Sequence, residues 1–119
     1  MRLFVRGEPI TNKSGPSGKG YDRWKDDLRS ALDSLLTVSR TCRVRLTFLL
    51  PMGSVQPANL QNRYGGDLDN LSGTVLDALA ETVLKPAGGD GAVRELFAVK
   101  RPVRQHEVPG VWISITGDS

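Results

Sequence analysis

The chain carries one cysteine and one histidine, and no apolar run near the roughly 20 residues that span a bilayer. A lone Cys42 excludes an internal disulfide, and with His106 as its only imidazole companion it excludes a Cys/His zinc constellation. His106 sits in a polar turn, which argues against a Ser-His-Asp arrangement or another histidine base. The opening Met1-Arg2-Leu3-Phe4-Val5-Arg6 breaks its apolar stretch with charge, unlike a secretory leader, so a reducing, cytoplasmic setting is expected. Gly18-Lys19-Gly20 lacks the upstream glycine spacing and the following Ser/Thr of a phosphate-binding loop. Aromatics are sparse at 6%, so the placing of each one matters.

What is present fits one domain over residues 1–119, with a net charge of +3 that only mildly favours a polyanionic partner. Residues 2–6 alternate as a short strand that stops at Gly7. Residues 8–20 hold Pro9, Pro16, three glycines, Lys13 and Lys19, the composition of a basic loop. Trp24, Leu28, Ala31, Leu32 and Leu35 then make the apolar stripe of an amphipathic helix over about 21–37. Residues 43–50 read as a strand stopped by Pro51, and 52–66 as a polar loop. A second helix is predicted over about 68–84, with Leu68, Leu71, Val75, Leu79 and Val83 on one stripe, ended by Pro86 and Gly88-Gly89. Strands over about 93–102 and 110–116 complete a β-α-β-α-β-β order. The expected fold is α+β and two-layered, with a sheet of about four strands and both helices on one face. The other sheet face then needs water or a partner, which makes a homodimer plausible, with Trp112 a candidate for its interface.

The chemistry is concentrated in acids. Asp67 and Asp69 stand at the start of the second helix, Asp77 lies eight residues beyond Asp69, and Asp90 sits in Gly88-Gly89-Asp90-Gly91. Helix capping accounts for one aspartate, and a second acid in the first turn favours the positive end of the helix dipole. Asp69, Gly73 and Asp77 share a face distinct from the apolar stripe, so capping alone leaves Asp77 unexplained. Asp67-Leu68-Asp69 matches the start of an EF-hand loop, but position six is Ser72 and position twelve Ala78, so that reading fails. Mg²⁺ suits the cluster better, because it takes one or two protein carboxylates and keeps places for phosphate oxygens. Asp90 is either an ordinary turn acid or a distal ligand. Lys13, Lys19, Arg63, Lys100, Arg101 and Arg104 are the candidate phosphate contacts, expected to give salt-sensitive DNA binding. Cys42 reads as a small core residue, and Trp24 as part of the helix stripe.

These residues together resemble the RusA-type Holliday junction resolvases, small dimeric Mg²⁺-dependent endonucleases of bacteria and phages. The resemblance is carried by Asp67-Leu68-Asp69-Asn70-Leu71, then Asp77-Ala78-Leu79, then Gly89-Asp90-Gly91-Ala92-Val93. Less specifically, Val5-Arg6-Gly7-Glu8-Pro9-Ile10 followed by Lys13 is similar to the family's opening strand and Gly-x-Pro turn. The resemblance implies a structure-specific endodeoxyribonuclease resolving four-way junctions or other branched DNA in recombination and repair. It implies Asp67, Asp69 and Asp90 as catalytic and metal-binding carboxylates for Mg²⁺, with Mn²⁺ as a substitute. Asn70 and Asp77 become accessory residues, and the location becomes the cytoplasm of a bacterium or phage host. Two positions depart from the pattern. Gly73 stands where the family carries a catalytic lysine, and Asp90 stands alone where an Asp-Asp pair is usual. The alternative reading is therefore a catalytically weakened protein of the same fold that binds branched DNA. A third is a domain whose acids only cap a helix.

Overall fold

The computed structural model describes residues 1–10, 19–51 and 67–118. Strand β1 (Arg2–Arg6) is followed by helix α1 (Lys19–Asp33), strand β2 (Cys42–Leu50) and helix α2 (Leu68–Glu81). Two single 3₁₀ turns, Lys85–Ala87 and Gly89–Ala92, lead into strands β3 (Val93–Pro102) and β4 (Gly110–Gly117). The expected α+β order is therefore observed, with one four-stranded sheet and two helices. The pairing order, which the sequence leaves open, is β1-β4-β2-β3. The sheet is mixed: β4 runs antiparallel to both β1 and β2, while β3 runs parallel to β2.

Strand alternation sorts the side chains. Val44, Leu46 and Phe48 of β2 and Val111, Ile113 and Ile115 of β4 point to one face, all at most 2% exposed. Against them lie Trp24, Leu28 and Leu32 of α1 and Leu71, Val75 and Leu79 of α2, forming a single core. Each such side chain contributes about 1.5–3 kcal/mol by leaving water. The two helices lie side by side and run the same way: the Tyr21 hydroxyl is 3.4 Å from Thr74 Oγ1, and further along Arg29 pairs with Glu81 at 2.9 Å. Cys42 is fully buried as a core residue, and burial pushes its thiol pKa up, with Asp118 adding to the shift.

Both helices end earlier than their apolar stripes suggest. Helix α1 stops at Asp33, yet Leu35 still packs on the core from a turn closed by its N–H on Leu32 O. Helix α2 stops at Glu81, because the Leu84 N–H reaches Leu79 O and the Val83 carbonyl is taken by the Val38 N–H. Val83 and Leu84 remain fully buried, so the stripe tracks packing beyond the helix itself. Gly7 has no room for a side chain: a Cβ there would lie 2.8 Å from Asp27 Oδ2 and 2.9 Å from the Trp24 ring. That close approach gives a physical reason for glycine where β1 hands over to Pro9 beneath α1.

Candidate metal and nucleic-acid site

Helix α2 ends near the beginning of β2, because β3 starts by pairing Val93 with Cys42, the first residue of β2. It runs parallel to α1, whose first turns pack on Gly7 at the other end of the sheet. The N-terminus of α2 therefore lies at one end of the sheet and the 3₁₀ turns at the other.

Asp67 occupies the N-cap with an extended backbone (φ −73°, ψ 146°), but its side chain makes no capping hydrogen bond. Its carbonyl accepts the first helical bond, from the Leu71 N–H at 3.0 Å. The exposed carboxylate is thus not spent on the helix, contrary to the capping reading for this residue. Asp69, also exposed, accepts the Asn70 backbone N–H on Oδ1 at 2.9 Å. Asn70, expected as an accessory residue, makes this contact through its backbone amide. The Asn70 carbonyl in turn accepts the Thr74 hydroxyl at 3.2 Å. Asp77 is exposed, on the same side of α2 as Asp69. At Gly73, between them, a Cβ would meet nothing within 4 Å among the described residues. No described residue therefore packs against this position.

Asp90 lies at the other end of α2. A Cβ on its neighbour Gly89 would lie 3.5 Å from the Ala80 methyl, and Ala80 is roughly 16 Å along the helix axis from Asp69 at 1.5 Å per residue. Among the described residues no group of three or more His, Cys, Asp or Glu is close enough to hold one metal ion. The three acids expected to share a metal are therefore not brought together: Asp67 and Asp69 stay adjacent, and Asp90 stands apart on its 3₁₀ turn. The donor chemistry of Asp67 and Asp69 alone still fits Mg²⁺, a hard cation satisfied by one or two carboxylates and water. Lys85, in the turn after α2, lies at the same far end and cannot replace a lysine at position 73.

The expected phosphate contacts divide as well. Lys13 and Arg63 lie outside the described residues, as does the side chain of Lys19, although its backbone opens α1. Arg101 makes a bidentate pair with Glu107 at 2.7 and 2.8 Å. Glu107 also accepts the Arg104 backbone N–H at 2.6 Å. The Arg101 guanidinium and that N–H together hold Glu107 down to about 2. Arg101 thus has a structural partner, Arg104 projects from an exposed turn, and alternation puts Lys100 on the helix side of β3. His106, in that same turn, takes a left-handed backbone (φ 70°), which suits the turn role expected of it. The sequence reading missed Ser72, which is 2% exposed in α2 with a hydroxyl that has no partner among the described residues. Only its position beside the Leu71 stripe hints at this. No family model matches the chain, and no curated protein matches it.

Proposed function

We propose that this chain is a Mg²⁺-dependent, structure-specific endodeoxyribonuclease of the RusA type, acting on four-way junctions or other branched DNA as a homodimer. The observation that carries the reading is the pair Asp67 and Asp69 at the start of α2, with the Asp67 carboxylate exposed and unused by the helix. Mg²⁺ held there would supply charge stabilisation at phosphorus and activation of the attacking water. Asp67 and Asp69 would be its protein ligands, and the Asn70 amide fixes the Asp69 carboxylate through the bond to Oδ1. The amide groups and dipole of the α2 N-terminus favour a phosphate arriving at the same place. Asp77 adds an acid on the same exposed side. A two-fold dimer matches the symmetry of a junction, since two equivalent sites nick opposing strands.

A second reading, a branched-DNA-binding protein with weakened cleavage, is favoured by two specific observations. Asp90 stands far along α2 from the other acids, and position 73 has no ammonium group. One experiment separates the readings: a synthetic mobile four-way junction is incubated with the native protein and with Asp69→Asn, in Mg²⁺ and in EDTA. Symmetric nicks that require both Mg²⁺ and Asp69 establish the nuclease. Tight binding without nicks establishes the second reading, and neither binding nor nicking overturns both. Gly73→Lys extends the test, since a Cβ there meets no described residue within 4 Å. A rise of about tenfold or more in cleavage at unchanged affinity is expected if the missing ammonium limits turnover.

A further inference from the structure

The sheet face turned away from the helices has a composition that the nuclease reading does not use. Both described helices pack on the opposite face, and on this one the end at Leu49 is buried while the rest is open to solvent among the described residues. Alternation and register bring Arg2 and Phe4 of β1, Trp112 of β4, Arg43 and Arg45 of β2 and Phe97 of β3 to this face. Arg2 lies over the Trp112 ring at 4.4 Å, and Phe4 flanks the same ring at 5.1 Å between centroids. Across the sheet, Arg45 lies over Phe97 at 5.2 Å, and Phe97 is 59% exposed although it is a large apolar residue. Arg43, Arg45, Glu95 and Phe97 line a cleft of about 320 Å³ between β2 and β3. Arg6 joins the face from the end of β1, and Glu95 is the one acid that alternation adds across these strand positions.

We propose that this face binds single-stranded nucleic acid, with unpaired bases stacking on the Trp112 and Phe97 centres and the arginines meeting phosphates. Every base has a face for an aromatic ring or a guanidinium plane, so such a surface tolerates sequence. Trp112 and Phe97 lie two strands apart and are offset along β2 by the step from Thr47 to Arg45. That places the rings roughly 12 Å from each other, from strand spacing and rise, so two bases stack on separate platforms. The charge selects the occupant. Arg2, Arg6, Arg43 and Arg45 outnumber Glu95 and the Asp118 carboxylate that acts on Arg43, so the face complements a polyanion. A second copy seated two-fold on it would instead bring two surfaces of the same positive sign together.

The inference stands apart from the metal site, because Asp67 and Asp69 sit on α2 across the sheet. It takes the face on which a homodimer was expected to close, so any dimer must form elsewhere. The test follows the fluorescence anisotropy of a labelled thymidine oligomer of about 15 nucleotides. Native protein, Phe97→Ala, Arg45→Glu and Asp69→Asn are compared, with a uridine oligomer and a duplex of equal length as further arms. Phe97 and Arg45 are exposed, so both variants retain the core, and circular dichroism checks this. The expected result is binding that falls steeply between roughly 50 and 200 mM salt. It weakens about fivefold or more in Phe97→Ala and in Arg45→Glu, is unchanged in Asp69→Asn, and exceeds the affinity for duplex. Oligomer binding should also quench Trp112, since Trp24 is 1% exposed and shielded. Equal affinity for the uridine oligomer assigns the face to either nucleic acid, and preference for one assigns it to that one. Absence of binding at low salt, or binding indifferent to both sheet variants, overturns the proposal. So does a dimer in sedimentation that Phe97→Ala dissociates without any oligomer binding, since a second copy then occupies the face. Loss of junction cleavage in Asp69→Asn with oligomer binding intact keeps the two proposals separate.

Discussion

At the residue scale, the acids at the start of α2 are distinguished by what they do not do. An aspartate that caps a helix accepts an N–H from the first turn, and losing it costs about 1 kcal/mol. Asp67 occupies that position without making the bond. Asp67→Ala is therefore expected to change stability by less than about 0.5 kcal/mol, measured by urea denaturation. A loss of the full capping energy would assign Asp67 to the helix and remove the main support for a ligand role. The sequence named Asp67 and Asp69 correctly as neighbours on a helix start, since residue type and spacing report that directly. It did not reveal that the Asp67 side chain is unspent, because Asp is equally at home as a cap or as a ligand, and rotamer choice leaves no trace in spacing. Gly73 was equally opaque: glycine in a helix signals either close packing or open space, and only the three-dimensional surroundings show that no described residue lies within 4 Å of a Cβ there.

At the element scale, one carboxylate ties the β3–β4 connection together alongside its backbone hydrogen bonds. Glu107 binds the Arg101 guanidinium on both oxygens and the Arg104 amide on one, which ties the end of β3 to the turn. Its folded-state pKa of about 2 lies below the ordinary value of 4.5, so the native state binds this proton less readily than the unfolded chain. The contribution to stability is therefore complete above about pH 4.5 and is lost as pH falls towards 2. Asp118, held down to about 2 by Arg94 and Thr41, acts over the same acid range. Glu107→Gln is expected to flatten the acid limb of a stability-versus-pH curve while leaving the curve near neutrality shifted by a constant amount. An unchanged acid limb would mean that the pair does not persist in solution. The elements themselves were readable because their apolar periods differ, about 3.6 residues in the helices and two in the strands. Their ends were less so: Leu35 and Val83 continue the stripes into turns, where burial persists and helical hydrogen bonding does not. Arg101 was read as a phosphate contact because charge is visible in a sequence, whereas its partner six residues on becomes one only once the turn brings it back.

At the scale of the whole molecule, the mixed sheet decides what can meet what. Because β3 runs parallel to β2, α2 spans the sheet end to end, with Asp67 and Asp69 at one end and the Asp90 turn at the other. The sequence supplied the order of elements but not the pairing order β1-β4-β2-β3, since register between distant strands depends on which faces must be buried together. This long-range geometry separates three acids that look clustered in the chain. It also makes the metal reading testable without any nuclease assay. A ligand that binds only the folded state stabilises it by mass action, about 1.4 kcal/mol at ten times its dissociation constant. For a domain of this size that is roughly a 4–8 °C rise in Tm. Mg²⁺ is therefore expected to raise the unfolding temperature of the native protein in a saturable way, and EDTA to reverse it. If Asp67 and Asp69 are the ligands and Asp90 is not, Asp69→Asn abolishes the rise and Asp90→Asn leaves it intact. Loss of the rise in both variants would contradict the separation of Asp90 from the other two acids along α2. No rise in the native protein at millimolar Mg²⁺ would leave the carboxylates without a resident metal and favour the DNA-binding reading.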